Sequence, residues 1–413
     1  MSVDKTIVPL VTPGTSLREP RVEVLSKADL FSWLGSVMQG HRVLLVASIG
    51  SVRRLHLEQQ WRVATAWYSS FESNPTVSQS LAAACCRETA GADRIVAIGG
   101  GSAMDVAKAA GVLSADSLTA FAEIDGSAQP SRRASVFLVP TTAGTGSEMT
   151  PFATLYDSRR RKVSLDDSCV LAEAVAMVPE LLASCPPYVI WCGLLDSIAH
   201  AVESLWSLRA DDESVVAASL ALQAAAPVLI GKVNIASFRG QRLLSESGAL
   251  AGVAIRITRT TAGHALSYPM TARLGIPHGA AVGIVLRWLI HIVPGHLGAG
   301  QCLRATAHAG PCISLGTFLG VSNAREVQHW IDAAIRRTGV LPESIDRAIA
   351  QIAEFVHEGF ESDRMSGMPI QLKEDDTVAR LGMSLREVKA LLLTTILDDR
   401  VPQGRHDVIG GRS

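Results

Sequence analysis

Three short apolar runs, at residues 42–47 (RVLLVA), 94–98 (RIVAI) and 135–139 (SVFLV), alternate with stretches of helical spacing such as 77–89. Runs of this length rich in Val, Ile and Leu read as buried strands, and strands alternating with helices imply a parallel sheet with crossover connections. Pro186-Pro187 then breaks the pattern, because two consecutive prolines cannot sit inside a helix or a central strand. Beyond it, apolar residues recur at three- and four-residue spacing over 188–208, 211–226, 239–256, 324–337 and 384–397, with Pro227 a stop or kink for the second. The expectation is an α/β, Rossmann-like parallel-sheet domain over 1–186 and an all-α domain over 187–413, with the active site in the cleft between them. A chain of 413 residues, too long for one ordinary core, agrees with two domains.

With 48% hydrophobic residues, the chain has enough apolar surface to fold. Lys+Arg (38) and Asp+Glu (39) nearly balance, so no global field draws it to nucleic acid or an anionic membrane. The cysteines at 85, 86, 169, 185, 192, 302 and 312 are odd in number and form no CxxC pair, which argues for buried thiols in a reducing compartment. MSVDKTIVPL lacks the regions of a signal peptide, and the apolar run 279–286 stops at Arg287, far short of a membrane span. A cytoplasmic location is expected.

In RIVAIGGGSAMDVAK a strand meets Gly99, Gly100 and Gly101 and then a helix. Glycines let a diphosphate approach the backbone N–H groups, Ser102 can cap the helix, and the helix N-terminus favours an anion. Asp105 is placed in the first turn. A tight turn with no ligand reads equally well, and the motif is not GxGxxG. The third strand leads into PTTAGTGSE, where Thr141, Thr142, Thr145 and Ser147 surround Gly144 and Gly146. Two such loops at strand ends together favour a nucleotide.

In CGLLDSIAHAVES, Asp196 and His200 are four apart and share one face of a predicted helix among apolar neighbours. Such a pair is costly to bury unless it is hydrogen-bonded or ligating. His264 (TTAGHALSYP) and His278 (GIPHGAAVG) complete a set of one carboxylate and three imidazoles, suited to Fe(II), Zn(II), Co or Ni. Spacing alone does not bring the last two to the first two. Histidines 41, 56, 291, 296, 308, 329, 357 and 406 read as ordinary surface or core residues.

Taken together, GGGSAMDVAK, PTTAGTGSE, Asp196-x-x-x-His200 and His264 with His278 resemble the iron-containing alcohol dehydrogenases over nearly the whole chain. The resemblance implies that Asp196, His200, His264 and His278 bind one divalent metal, Fe(II) or Zn(II). It also implies that Gly100, Gly101, Ser102, Thr141, Thr142 and Thr145 hold NAD(P)H. Lys162 matches a family lysine near the cofactor, Asn74-Pro75-Thr76 a segment near its adenosine end, and Phe152 a position lining the substrate pocket. Ser48, at the end of the first strand, and Asp105 join the cofactor set. A homo-oligomer is implied as well. The reaction expected is hydride transfer between NAD(P)H and a small aldehyde. The metal acts as a Lewis acid on the carbonyl oxygen.

Some positions depart from the family pattern. Tyr268 stands where relatives often carry a second histidine; it either donates a proton or lines the pocket. No acid follows the first strand, and Arg53 and Arg54 either reach a 2′-phosphate or are solvated. Arg259 lies five residues before His264; it either binds an anionic substrate or pairs with a carboxylate at a helix surface. The segment RTTAGHALSYPMTARLGIPHG resembles the phosphonoacetaldehyde reductase branch, whose product is 2-hydroxyethylphosphonate. A dehydrogenase for a small neutral aldehyde, or a lyase like dehydroquinate synthase, are the alternatives.

Overall fold

The computed structural model describes residues 20–293, 319–320 and 323–400, without the side chains of 59–61 and 395–400. The first ten residues, Cys302, Cys312, His296, His308 and His406 lie outside the described residues. The strands are β1 (Arg21–Val24), β2 (Val43–Val46), β3 (Ala66–Tyr68), β4 (Arg94–Gly99), β5 (Ser135–Pro140), β6 (Phe152–Tyr156), β7 (Lys162–Asp166) and β8 (Ala174–Met177). Six of them form one parallel sheet in the order β1-β8-β5-β4-β2-β3, while β6 and β7 form a separate antiparallel pair. Helices α1 (Lys27–Met38), α2 (Ile49–Leu55), α3 (Glu58–Val63), α4 (Val77–Ala90), α5 (Gly101–Val112) and α6 (Ser117–Asp125) are interleaved with the strands.

The strand sequences explain why the sheet is covered on both sides. All four residues of β2 are buried, as expected for a parallel strand with helices on each face. Side chains alternate across the sheet. Val43, Leu45, Val96, Ile98, Phe137 and Val139 therefore pack with Leu30, Leu34 and Val37 of α1. Leu44, Val46, Ile95, Ala97, Val136 and Leu138 join the opposite core, which contains Met104 of α5 and continues into the helical region.

From Pro187 onward, every described element is helical: α7 (Pro187–Trp206), α8 (Asp212–Leu229), α9 (Phe238–Thr258), α10 (Ala262–Leu274), α11 (His278–Ile292), α12 (Ala324–Ile335), α13 (Pro342–Ala350), α14 (Ile352–Phe360) and α15 (Glu374–Arg400), with short 3₁₀ turns such as Asp363–Gly367. Pro187 occupies the first turn of α7, where a missing N–H breaks no helical hydrogen bond. Pro227 does not stop α8 at once; it sits in the last turn, and the helix runs on to Leu229. Helix α15 begins ten residues earlier than its apolar spacing suggests, with the acidic first turn Glu374, Asp375 and Asp376. No described helix is long and apolar enough to cross a membrane.

Candidate active site

β2 is flanked by β3 on one side and β4 on the other. A crevice opens beyond the carboxyl ends of strands at such a reversal of strand order. The loop after β4 enters α5 with Gly100 as its N-cap and no capping side chain. Contrary to expectation, Ser102 does not cap this helix: its hydroxyl donates instead to the Ser73 carbonyl, at 2.5 Å. That leaves the first-turn N–H groups of α5 without a side-chain acceptor, and they can receive an anion.

Asp105 lies one turn further in than expected and is occupied: Ser147 Oγ donates to it at 2.5 Å and the Thr154 N–H at 3.1 Å. Lys108, fully buried, donates to the carbonyls of Ser147 (2.7 Å) and Phe152 (2.5 Å). These bonds tie the loop after β5 to α5. Gly100 and Gly101 face Thr142 and Thr145 so closely that a Cβ would come within 2.9 and 3.0 Å of their side chains.

That second loop also meets the helical region backbone to backbone. A Cβ on Gly193 of α7 would lie 1.8 Å from the Ala143 carbonyl, and one on Gly146 would lie 2.5 Å from Cα of Gly252 in α9. Gly144 and Gly146 have φ of 124° and 61°, in the region that favours glycine.

The glycine contacts hold α7 against the loop, with Asp196 one turn and His200 two turns beyond Gly193. His264 comes from α10 and His278 opens α11. The Nε2 atoms of His264, His200 and His278 lie 3.3, 3.6 and 3.7 Å from Asp196 Oδ1. Ligand atoms of Asp196, His200 and His264 are all within 4.8 Å of one another, and His278 reaches the same oxygen from the side. Atoms each about 2.1 Å from a tetrahedral ion lie about 3.4 Å apart, so the observed separations fit one ion.

The electrostatics also fit an ion. Burial alone would raise the Asp196 pKa, but the three histidines hold it well below the usual carboxylate range. Burial pushes His200 and His278 down to about 4, so both offer lone pairs at neutral pH.

His264 differs, because Glu203 accepts from its Nδ1 in a short hydrogen bond. Burial alone would lower the His264 pKa, yet Glu203 raises it. Glu203 is fully buried and also accepts from Thr261 Oγ1 (2.6 Å) and the Gly263 N–H (2.7 Å). This carboxylate–histidine contact turns Nε2 of His264 toward Asp196. Glu203 was not singled out in the sequence, although Asp196, His200 and Glu203 at i, i+4 and i+7 mark one helix face.

A cavity of about 170 Å³ joins the two ends of this arrangement. Asn74, Gly101, Ser102, Asp105 and Thr145 line it beside Phe152, Lys162 and Tyr268, with the four carboxylate and histidine residues at the other end. Ser48, Gly100, Thr141, Thr142 and Arg259 do not line it. Ser48 caps α2, and Arg259 lines a neighbouring cavity, donating to Asp166 at 2.8 Å. Tyr268 stacks on His278, with ring centroids 5.6 Å apart, and receives a 2.5 Å hydrogen bond from Lys162 Nζ.

Two family models match the chain. The iron-containing alcohol dehydrogenase model covers residues 21–179, and the C-terminal model of the same family covers 191–295. A phosphonoacetaldehyde reductase from Streptomyces viridochromogenes is 38% identical over 286 residues, which is 65% of this chain and 71% of that protein. The chain belongs to the iron-containing alcohol dehydrogenase family. This alcohol dehydrogenase is thus an oxidoreductase, and its sheet followed by helices is the family fold. A sulfoacetaldehyde reductase from Bilophila wadsworthia is 31% identical over 46% of this dehydrogenase and 50% of its own length. A solved sulfoacetaldehyde reductase from Bifidobacterium kashiwanohense, in complex with NAD+, superposes with a TM-score of 0.76 over 92% of this chain and all of its own, at 22% identity. At that identity the likeness speaks for the fold.

Proposed function

We propose that this dehydrogenase reduces a small anionic aldehyde, with phosphonoacetaldehyde the best match and 2-hydroxyethylphosphonate the product. The observation that carries the reductase reading is the convergence of three imidazole Nε2 atoms on Asp196 Oδ1 in the cavity that the glycine loops also line. The anionic class is favoured by the phosphonoacetaldehyde and sulfoacetaldehyde reductases among its relatives.

In this reading, residues 1–186 bind the cofactor and 187–413 supply the metal and substrate groups. A divalent ion, Fe(II) or Zn(II), held by Asp196, His200, His264 and His278 supplies Lewis-acid polarisation of the aldehyde, and NADH or NADPH supplies hydride. The α5 N-terminus with Gly100, Gly101, Ser102, Thr141, Thr142 and Thr145 holds the diphosphate, while Ser48 and Asn74 flank the adenosine end. Asp105 holds the second loop in place. Arg53 and Arg54 are exposed at the end of α2, so a 2′-phosphate is tolerated. Burial raises the Tyr268 hydroxyl to about 12, so it carries its proton at neutral pH. Held by Lys162, it serves as the donor to the product oxygen. Phe152 lines the substrate end. The enzyme works in the cytoplasm as a homo-oligomer.

The test is oxidation of NADH and of NADPH by the metal-loaded protein, with phosphonoacetaldehyde beside propanal and lactaldehyde. A strong preference for the phosphonate is expected. Turnover of the neutral aldehydes alone would discard the anionic substrate, and no turnover with any aldehyde would discard the reductase reading.

A further inference from the structure

Arg259, the cation singled out in the sequence, is engaged: it donates to Asp166, and its guanidinium lies over the Phe152 ring, 5.0 Å from the centroid. The outer cavity, of about 680 Å³, holds other cations that are likewise committed. Arg161 pairs with Asp157 at 2.8 Å, and Arg209 donates to Ser366 at 2.9 Å.

Arg364 is different. It stands in the 3₁₀ turn Asp363–Gly367, and Ser362 Oγ fixes its backbone N–H at 3.3 Å. It lines both the outer cavity and the inner one. Among the described residues, no carboxylate or carbonyl lies within ion-pair or hydrogen-bond distance of its guanidinium. Its charge is felt at Lys162 and at Tyr268, and Lys162 in turn is felt at His278.

The acids nearby are accounted for. Asp105 and Asp196 line the inner cavity, the first bonded to Ser147 and Thr154, the second in the histidine cluster. Asp166 and Glu358 are paired with Arg259 and Arg273. Glu361 and Asp363 line only the outer cavity. An anion entering the inner cavity therefore finds an uncommitted guanidinium.

We infer that Arg364 is the residue that selects an anionic substrate: its guanidinium holds the phosphonate or sulfonate group of a short aldehyde whose carbonyl faces the Asp196–histidine cluster. This rests on the reductase reading above. A planar guanidinium pairs two N–H groups with two oxygens of a tetrahedral anion, a fit that an ammonium lacks. Arg364 and the Asp196–histidine cluster line the same cavity, so one short ligand can face both.

The test compares the wild type with Arg364→Ala, Arg364→Lys and Arg259→Ala, all metal-loaded, on phosphonoacetaldehyde, sulfoacetaldehyde and propanal. Binding of ethylphosphonate to each protein is read separately by calorimetry. Arg364→Ala should lose about 30- to 100-fold in kcat/KM on both anionic aldehydes, the range of a charged hydrogen-bonded pair. It should lose ethylphosphonate binding by a similar factor and keep its activity on propanal. Arg364→Lys should recover only part, and Arg259→Ala should retain the preference. Equal loss on propanal, or a raised KM for NAD(P)H in place of the anionic aldehyde, would overturn the assignment. If the wild type itself turns over propanal but neither anionic aldehyde, the substrate reading fails instead. If the wild type prefers the anions and Arg364→Ala keeps that preference, only this inference fails.

Discussion

Glu203 touches none of the three atoms facing Asp196, yet it sets the orientation of His264. Replacing its carboxylate with an amide keeps the volume and removes the charge that raises the His264 pKa. Glu203→Gln should therefore weaken metal binding about 10- to 100-fold, as loss of such a supporting contact does. Titration of the metal-free protein with Zn(II) or Fe(II) measures this, and unchanged affinity would mean that His264 needs no such support. Glu148 offers a pH test. Burial raises its pKa to about 7, above the usual carboxylate range. A carboxyl whose folded pKa is raised contributes fully below the unfolded value and loses that contribution as pH rises through the folded one. Stability should thus fall between about pH 4.5 and 7 by on the order of 3 kcal/mol. Glu148→Gln removes the penalty, so its stability relative to the wild type should grow between pH 5 and 8 in denaturant unfolding. A constant difference would mean that Glu148 stays ionised beside Lys108.

At the scale of elements, α7 depends on one residue without a side chain. A Cβ on Gly193 would lie 1.8 Å from the Ala143 carbonyl, and Cys192 beside it allows none on Gly279 of α11. Gly193→Ala must push α7 away from the second loop, and Asp196 and His200 move with it. We expect a loss of about 1–3 kcal/mol, the usual effect of overpacking, together with weaker metal binding. Thermal unfolding with and without Zn(II) checks both, and a variant matching the wild type in each would show that the helix can shift freely. The strands at 42–47, 94–98 and 135–139 were legible because each is a β-branched or leucine run with clear ends. β8, with the sequence AVAM, was not: four buried apolar residues in a row carry no period that separates strand from helix. Asp196 and His200 were legible from their spacing on one helix. Arg364 was not, since it lies in a short turn 86 residues beyond His278, and only folding places it at the cavity.

For the whole molecule, the four candidate ligands lie on α7, α10 and α11, and none comes from the sheet. An ion bound there ties these helices together, so it should stabilise the native state by about 2.7 kcal/mol at a hundredfold excess over its Kd. Removing the metal with a chelator should lower the unfolding temperature by several degrees, and adding Zn(II) or Fe(II) should restore it. Calorimetry showing no shift would argue against a bound ion at Asp196. The glycine contacts between the second loop and α7 and α9 have a further consequence for the order of assembly. They join positions far apart in the chain, and such distant contacts close only after local structure has formed. The pocket therefore exists only once the loop has docked on α7 and α9. A chain trapped short of that docking would carry most of its secondary structure and still have nowhere to put a substrate.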